Sequence, residues 1–395
     1  MEVKKGFKKT EIGIIPNDWE ISTLGKCCSK IVDGTHFTPI YQTDGIPFIS
    51  VENITGNNLD NTKFISVREH KKLIQRCKPQ LHDILMTRIG SLGETKYVTW
   101  ETEFSIYVSL VLLRPADETL GKFLYEYSKS HHFKKEIEKR SLTNATPQKI
   151  NMGDIKYVSI PVPSEKLEQK AIAEVLSDVD ALINALDALI AKKRAIKQGV
   201  MQELLTGKRR LPGFNGEWEQ VKLGDITKIN TGKKNNDDKI ENGKYPFFVR
   251  SQIIEKINTY SFDGEAILIP GEGGIGNIYH YINGKFDYHQ RVYKISDFHF
   301  NVYGKFVYYV LTQKFYDHAM RNTVKATVDS LRLPTFQKFE FLIPSNLQEQ
   351  EKIVEIISDI DFEINTLELE RDKIKALKQG MMQELLTGHI RLMGG

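Results

Sequence analysis

The sequence is poor in cysteine, with only Cys27, Cys28 and Cys77 among 395 residues. The number is odd and no two of them form a CxxC pair, so the sequence supports neither a disulfide framework nor a structural zinc site. Such sparing use of cysteine is typical of proteins from a reducing cytoplasm, and we expect this location.

Long apolar runs are lacking as well. None approaches the roughly 20 residues that a helix needs to cross a bilayer. Residues 1–9 carry charge without an apolar segment behind them, so they do not resemble a signal peptide. We therefore expect a soluble protein without a membrane partner.

The net charge is small, at +4, but it is unevenly distributed. Residues 1–160 carry 23 Lys/Arg against 19 Asp/Glu, and residues 207–345 carry 20 against 15. Residues 163–206 carry 6 against 7, and residues 346–387 carry 5 against 10. Two basic blocks thus alternate with two acidic segments. This suits blocks that meet a polyanion and segments that meet protein, although differences of a few charges also arise by chance.

The acidic segments are copies of one another. The first ends in Lys-Gln-Gly-Val-Met-Gln-Glu-Leu-Leu-Thr-Gly at 197–207, and the second ends in the same sequence at 378–388, with Met in place of Val. Without a gap, Pro163-Ser164 also aligns with Pro344-Ser345. Two copies at so long a period indicate internal duplication rather than a solenoid, and predict two halves related by a pseudo-dyad.

Each copy has the periodicity of a coiled-coil helix. Apolar residues recur in alternating steps of four and three from Ile172 to Ile190, and again from Ile353 to Leu367. Ser164 and Ser345 are candidate N-caps, and Gly207 and Gly388 stand where helices commonly end. We predict two helices of about 40 residues that pair antiparallel and act as a spacer.

The blocks between the repeats predict mixed α/β domains. Both begin with Trp-Glu followed shortly by Leu-Gly, at Trp19 and at Trp218, and both then show short β-branched and aromatic runs between turns. Asn283-Gly284 reads as a two-residue hairpin turn. The expected fold is therefore α+β, with two mixed α/β globular domains at 1–162 and 208–343. They are separated by two long antiparallel coiled-coil helices within 163–207 and 344–395.

Two motifs suggest chemistry but fit structural explanations better. Gly271–Gly276 spells GxGxxG, yet a strand rather than a helix is expected after it, so a glycine-rich turn is favoured over a dinucleotide site. Asp83 with Glu94 and Lys96 could form a metal-dependent nuclease site, but the second block has no counterpart. We therefore predict no catalytic residues, no bound cofactor and no metal site.

These features together resemble the specificity subunit of Type I restriction-modification enzymes. The resemblance rests on the repeated segments at 197–207 and 378–388, on the Trp-Glu entrances, and on Asp33-Gly-Thr-His-Phe-Thr-Pro39. It implies a non-catalytic subunit whose blocks are target-recognition domains, each reading half of a split sequence in double-stranded DNA. It also implies that the helices dock two methyltransferase subunits, to which restriction (motor-nuclease) subunits are added, and that S-adenosylmethionine belongs to the methyltransferase partner.

Candidate DNA-reading residues are polar or basic side chains in predicted loops, because such groups can reach base edges. In the first block they are Asp33, Thr35, His36, Thr38, Arg88, Asn144 and Gln148. In the second block they are Lys233, Lys234, Asn235, Asn236, Arg250, Gln252, Arg291 and Lys325. Candidates for helix pairing or partner docking are Leu186, Leu367, Gln198, Met201, Leu204, Gln379, Met382 and Leu385.

Two other functions remain open on the sequence. A coiled-coil scaffold that binds only proteins would explain the helices but not the opposite charge of blocks and repeats. A catalytic nuclease or methyltransferase subunit would need a cluster of acids or nucleophiles, and none is duplicated.

Overall fold

The computed structural model describes residues 5–142, 144–321 and 330–392. They form two compact units, unit 1 (1–186 with 370–395) and unit 2 (187–369). Each unit is mixed α/β and includes part of both long helices. Among the described residues, no helix combines the length and the apolar character needed to cross a membrane.

Unit 1 is built from short strands and helices that precede the first long helix. Its strands are β1 (Phe7–Thr10), β2 (Gly13–Pro16), β3 (Glu20–Thr23), β4 (Cys28–Asp33), β5 (Tyr41–Gln42), β6 (Ile46–Ile49), β7 (Lys63–Ile65), β8 (Ile84–Thr87), β9 (Thr95–Tyr97), β10 (Ser105–Ile106), β11 (Leu110–Pro115), β12 (Ser141–Leu142), β13 (Lys149–Ile150) and β14 (Ser159–Val162). Its helices are α1 (Leu24–Cys27), α2 (Val51–Thr55), α3 (Val67–Leu73), α4 (Glu118–Ser128), α5 (His131–Lys139), α6 (Met152–Ile155) and the first part of α7 (Lys166–Leu204).

Unit 2 repeats this order with fewer and longer strands. Its strands are β15 (Trp218–Lys222), β16 (Lys228–Thr231), β17 (Tyr245–Phe248), β18 (Glu255–Ile257), β19 (Phe262–Pro270), β20 (His280–Tyr288), β21 (Val292–Ser296) and β22 (Glu340–Pro344). Its helices are α8 (Leu223–Ile226), a 3-10 turn (Asn236–Asp238), α9 (Gly304–Arg321), α10 (Leu333–Gln337) and the first part of α11 (Leu347–Leu385).

The sheets of the two units share a central order. Unit 1 has β4-β11-β8-β9, and unit 2 has β16-β21-β19-β20-β17-β18. In both units the strand that enters the domain pairs antiparallel with the strand that leaves it, since β3 pairs with β14 and β15 pairs with β22. In the core of each unit, buried side chains of these strands pack against the long helices and against one shorter helix, which is α4 in unit 1 and α9 in unit 2.

The predicted long helices are confirmed, at 39 residues each. Within unit 1, Lys378 Nζ lies 2.5 Å from Asp180 Oδ2, and Arg391 Nε donates to Glu168 Oε1 over 2.5 Å. Going from Asp180 back to Glu168 along α7, the partner moves forward from Lys378 to Arg391. The two helices therefore run antiparallel in unit 1. Unit 2 shows the same arrangement, with Lys197 paired to Asp361 and Arg210 to Glu349.

The predicted glycine follows three residues after the last residue of each long helix, and in both cases it has the left-handed conformation. Gly207 has φ +70° and Gly388 has φ +71°. A Cβ at Gly207 would lie 3.3 Å from the ring of Trp218, and one at Gly388 would lie 2.4 Å from Pro16 and 3.2 Å from Trp19. The end of each helix is therefore packed against the Trp-Glu entrance of a globular block. In unit 1 this places the segment after α11 against the first strands of the domain.

Two local predictions are wrong. Asn283-Gly284 lies inside strand β20 rather than in a turn, since Gly284 (φ +143°) is paired directly with Gly264 (φ +146°) of β19. Ser345 does not cap its helix, since its Oγ donates to Glu217 O over 3.0 Å; Asn346 Oδ1 accepts from Gln348 N instead. Ser164 likewise donates to Asp18 O.

Candidate nucleic-acid interface

In unit 1, loops from distant parts of the sequence meet at one end of the central sheet. Strand β4 ends there at Asp33, and the antiparallel strand β11 begins there at Leu110. Thr35 is bridged to Tyr107, and Arg88 N donates to Ser109 O over 2.8 Å. Ile89 is bridged to Lys149, which brings the segment before α6 to the same place.

Unit 2 repeats these contacts at the equivalent end of its sheet. Lys234 is bridged to His289, as Thr35 is to Tyr107. Gly271 N donates to Arg291 O over 2.8 Å, and Glu272 is bridged to Ser330. Most of the predicted reader segments are thus gathered at one end of a sheet in each unit.

A buried carboxylate organises the loop cluster of unit 1. The side chain of Asp33 is only 2% exposed. Its Oδ1 accepts a hydrogen bond from Arg76 Nη2, and its Oδ2 lies 2.9 Å from His36 Nε2 and 3.8 Å from Arg88 Nη1. A buried charge is tolerated only when it is paired and hydrogen-bonded, and here three basic side chains surround it.

The candidate residues of unit 1 differ in access to solvent. Arg88 is buried and its Nη1 donates to Val108 O over 2.9 Å; burial lowers the pKa of its guanidinium. Thr35 is buried too, whereas Thr38 is exposed, with Oγ1 3.3 Å from the Tyr107 hydroxyl. The remaining exposed candidates are His36, Asn144 and Gln148.

In unit 2 the carboxylate is less buried and holds two arginines. Glu272 Oε2 lies 3.4 Å from Arg250 Nη1, and its Oε1 lies 3.4 Å from Arg291 Nη1. The side chains of Arg250 and Arg291 are 41% and 54% exposed, against 23% for Glu272. Burial, aided by the charges of Arg250 and Arg291, lowers the pKa of the adjacent His289.

The other candidates of unit 2 lie on the loop after β16 and on the one after β17. Asn235 Oδ1 accepts from Gln290 Nε2 over 2.5 Å, which ties the first of these loops to the segment before β21. Lys234 is partly exposed, and the exposed members are Lys233, Asn235, Asn236 and Gln252. Lys325 lies outside the described residues.

The candidates for pairing or docking lie on the long helices. In unit 1, Leu186 and Leu385 are buried, Met382 is partly buried and Gln379 is exposed. In unit 2, Met201 and Leu204 are buried in the core, Leu367 is partly exposed, and Gln198 is exposed.

Sequence reasoning missed two residues of these clusters, Arg76 and Glu272. The basic run Lys71, Lys72, Arg76 and Lys78 was the available signal for Arg76, but nothing local connects it with Asp33. Asp83, considered above for a metal, accepts two 2.8 Å hydrogen bonds from Arg114, and the described ranges contain no group of three or more His, Cys, Asp or Glu placed to hold an ion.

Comparison with known proteins finds the sequence family described as "Type I restriction modification DNA specificity domain", which matches residues 16–197 and 215–379. A protein of Methanocaldococcus jannaschii, provisionally named the MjaX specificity subunit of a type I restriction enzyme, is 30% identical over 292 residues, or 70% of this chain and 64% of that protein. The chain thus spans slightly less than two thirds of that relative. The MjaVIII specificity subunit from the same organism is 24% identical, over 98% of this chain and 97% of that one.

Solved structures agree on the fold. The S subunit of a Type I restriction-modification system from M. genitalium superposes with a TM-score of 0.67 at 18% identity, covering 98% of both chains. A chain from a study of complex assembly and conformational transition in the type I R-M system gives a TM-score of 0.53 at 15% identity, over 95% of this chain and 99% of that one.

Proposed function

This chain belongs to the family of Type I restriction-modification DNA specificity proteins, and we propose that it is the non-catalytic subunit that reads a bipartite target for partner enzymes. Sequence-specific recognition of DNA is the property of the family. Reading in two halves, docking of other subunits and the lack of catalysis in this chain are the parts that we propose.

The observation that carries the proposal is the repeated loop cluster. Each unit gathers basic and amide side chains at the same end of its sheet, and each cluster contains exposed arginine supported by a carboxylate. Arginine suits guanine and asparagine or glutamine suits adenine in the major groove. The two clusters differ in sequence, so two units built alike should read two different half-sites separated by an unspecified gap.

The long helices offer an equivalent exposed side chain in each unit. Ile196 in unit 2 is 43% exposed, and Leu377, its counterpart in the repeat, is 60% exposed in unit 1. Exposed apolar side chains at equivalent positions are what two copies of one partner would cover. We assign these faces to two methyltransferase subunits, with restriction subunits joining the assembly, and the helices to a spacer between the recognition domains 1–162 and 208–343.

In this proposal S-adenosylmethionine is bound by the methyltransferase partner, and the complex acts on DNA in the cytoplasm. A scaffold without DNA contact is the second candidate function. The gathering of arginine, lysine and amide side chains at the sheet ends favours the DNA reader, because a protein scaffold has no need of two such clusters.

The test is reconstitution with the methyltransferase subunit of the same system. We expect the pair to co-purify and to methylate one motif made of two specified parts and an unspecified gap. Ile196→Asp with Leu377→Asp should weaken the association by at least tenfold, because burying an aliphatic side chain contributes about 1.5–3 kcal/mol.

Ala195→Asp with Ala376→Asp is the matched control. It adds the same charges at exposed positions about 100° around each helix and should leave association intact. If the subunits still associate after Ile196→Asp with Leu377→Asp as well as after the control substitutions, the partner binds a different surface. Methylation without any specified motif would exclude the reader.

A further inference from the structure

Arg76 stands out among the exposed basic residues of unit 1. It follows α3 and lines a cleft with Thr35, Phe37 and Ser105, where the loops after β4 and before β11 meet. Its side chain is 58% exposed, so Arg76 is accessible from solvent. The residue therefore lies within the loop cluster of unit 1 at a place that a ligand can reach.

A hydrogen bond to the buried carboxylate of Asp33 fixes the orientation of the Arg76 side chain. One Nη2 hydrogen bond goes to a carboxylate that is 2% exposed and that is also contacted by His36. The neighbouring Gly34 packs closely against the segment before β11, since a Cβ there would lie 2.0 Å from Ile106 O. The backbone next to Asp33 thus leaves no room for a side chain at residue 34.

A guanidinium has five N–H donors in one plane. Asp33 takes one at Nη2, and within the described ranges the structure records no carboxylate on the Nε edge or on Nη1. A planar guanidinium that is held by one hydrogen bond still has donors in the same plane. Two such donors can form parallel hydrogen bonds to guanine O6 and N7.

A phosphate contact would not need this support. Lys72 lines the same cleft, is exposed, and supplies a positive charge without any fixed orientation. Phosphate oxygens accept from such a point charge in many geometries, whereas a base edge demands one plane. The buried anchor therefore favours a base contact for Arg76.

We propose that Arg76 is the specificity-determining residue of unit 1 that reads a guanine, and that Asp33 is the residue that positions it. The inference rests on the proposed DNA-reading function. It predicts at least one G·C pair in the half-site that unit 1 recognises.

The test uses the complete complex with its methyltransferase partner and measures discrimination at every base pair of both half-sites. Arg76→Lys keeps the charge and loses the fork, so discrimination should fall at one G·C pair by about 5- to 150-fold, the range for one bidentate contact. Asp33→Asn should weaken discrimination at that same pair and at no other. Lys72→Ala is the control, and it should weaken binding to all sequences alike.

Each result decides the matter. Unchanged discrimination in Arg76→Lys, or a uniform loss like that of Lys72→Ala, would overturn the base contact. If Asp33→Asn lost discrimination at every base pair while Arg76→Lys lost it at only one, Arg76 would remain the reader. That result would contradict the positioning of Arg76 by Asp33. If the unmodified complex recognises no specific sequence, the proposed function fails instead, before any variant is compared.

Discussion

The joint at the start of each long helix is made from equivalent residues in both units, but its hydrogen bonds differ. In unit 1, Glu168 accepts from Arg391 and from Trp19 Nε1 at 3.1 Å, and Arg391 also donates to Asp18. In unit 2, Glu349 accepts two hydrogen bonds from Arg210, while Trp218 Nε1 is buried without an acceptor in the described part of the chain. The duplicated sequence therefore brings equivalent residues together in both units, but only in unit 1 does the tryptophan N–H find an acceptor among the described residues.

The loop clusters differ more than the joints do. Unit 1 buries its carboxylate almost completely and pairs it with one exposed arginine, Arg76, whereas unit 2 sets a partly buried glutamate between two exposed arginines. The sheets beneath keep the same order, so the loops can vary without disturbing the joints. A common frame with different loops is what a reader of two unlike half-sites requires.

The largest difference should appear when the joint carboxylates are removed. Glu168→Ala leaves the indole N–H of the fully buried Trp19 without its acceptor, so we expect unit 1 to lose about 1–3 kcal/mol more than unit 2 loses in Glu349→Ala. Glu349→Ala should cost unit 2 about 1–3 kcal/mol, because Arg210 is partly exposed and can be hydrated. Hydrogen exchange followed separately in each unit measures both, since two units need not unfold together.

Trp19→Phe provides the control for this comparison. Without the indole N–H, the two glutamate substitutions should have similar effects on their own units. A difference that persists in the Trp19→Phe background would show that the indole is not its cause.

A smaller difference should appear at the lysines that join the long helices. Lys378 is buried between Asp180 and Glu126, whereas Lys197 is more exposed and pairs with Asp361. Lys378→Met leaves two carboxylates with Lys129 alone and should cost about 1–3 kcal/mol. Lys197→Met should cost about 1 kcal/mol or less, because the Tyr309 hydroxyl still donates to Asp361 over 2.8 Å.

Unfolding at low pH should also depend on the contact of Lys378 with Asp180. Burial by itself would raise the pKa of Asp180, but hydrogen bonds from Lys129 and Lys378 lower it below its ordinary 3.8. The stability that it contributes is therefore present above that value and is lost as the pH falls through the lowered pKa. In Lys378→Met the loss should begin at higher pH, and an unchanged acid transition would contradict the pairing.

Features with a short sequence signature could be predicted. The heptad period gave the long helices, and Gly207 and Gly388 marked their ends, because these patterns depend on neighbours within one or two turns. The prediction of a hairpin turn at Asn283-Gly284 was wrong because Gly284 pairs with Gly264 of another strand. No pattern near Asn283 reveals that distant partner.

The candidate site was predictable in location but not in detail. Asp33 was singled out as a polar loop residue, yet sequence cannot show that its carboxylate is buried. Arg76 is 43 residues away along the chain, and only the packing of α3 against the loop after β4 brings it to Asp33. Contacts of this range leave no periodic or local pattern.

The central claim is that each unit reads its own half of the target. Residues 212–343 can be exchanged for those of a relative, because β15 and β22 travel together and Arg210 and Glu349 of the joint stay behind. Methylome sequencing of cells carrying the exchange with the methyltransferase partner gives the result directly. The account predicts a motif in which one half and the gap are kept and the other half is replaced; a motif with both halves altered would contradict it.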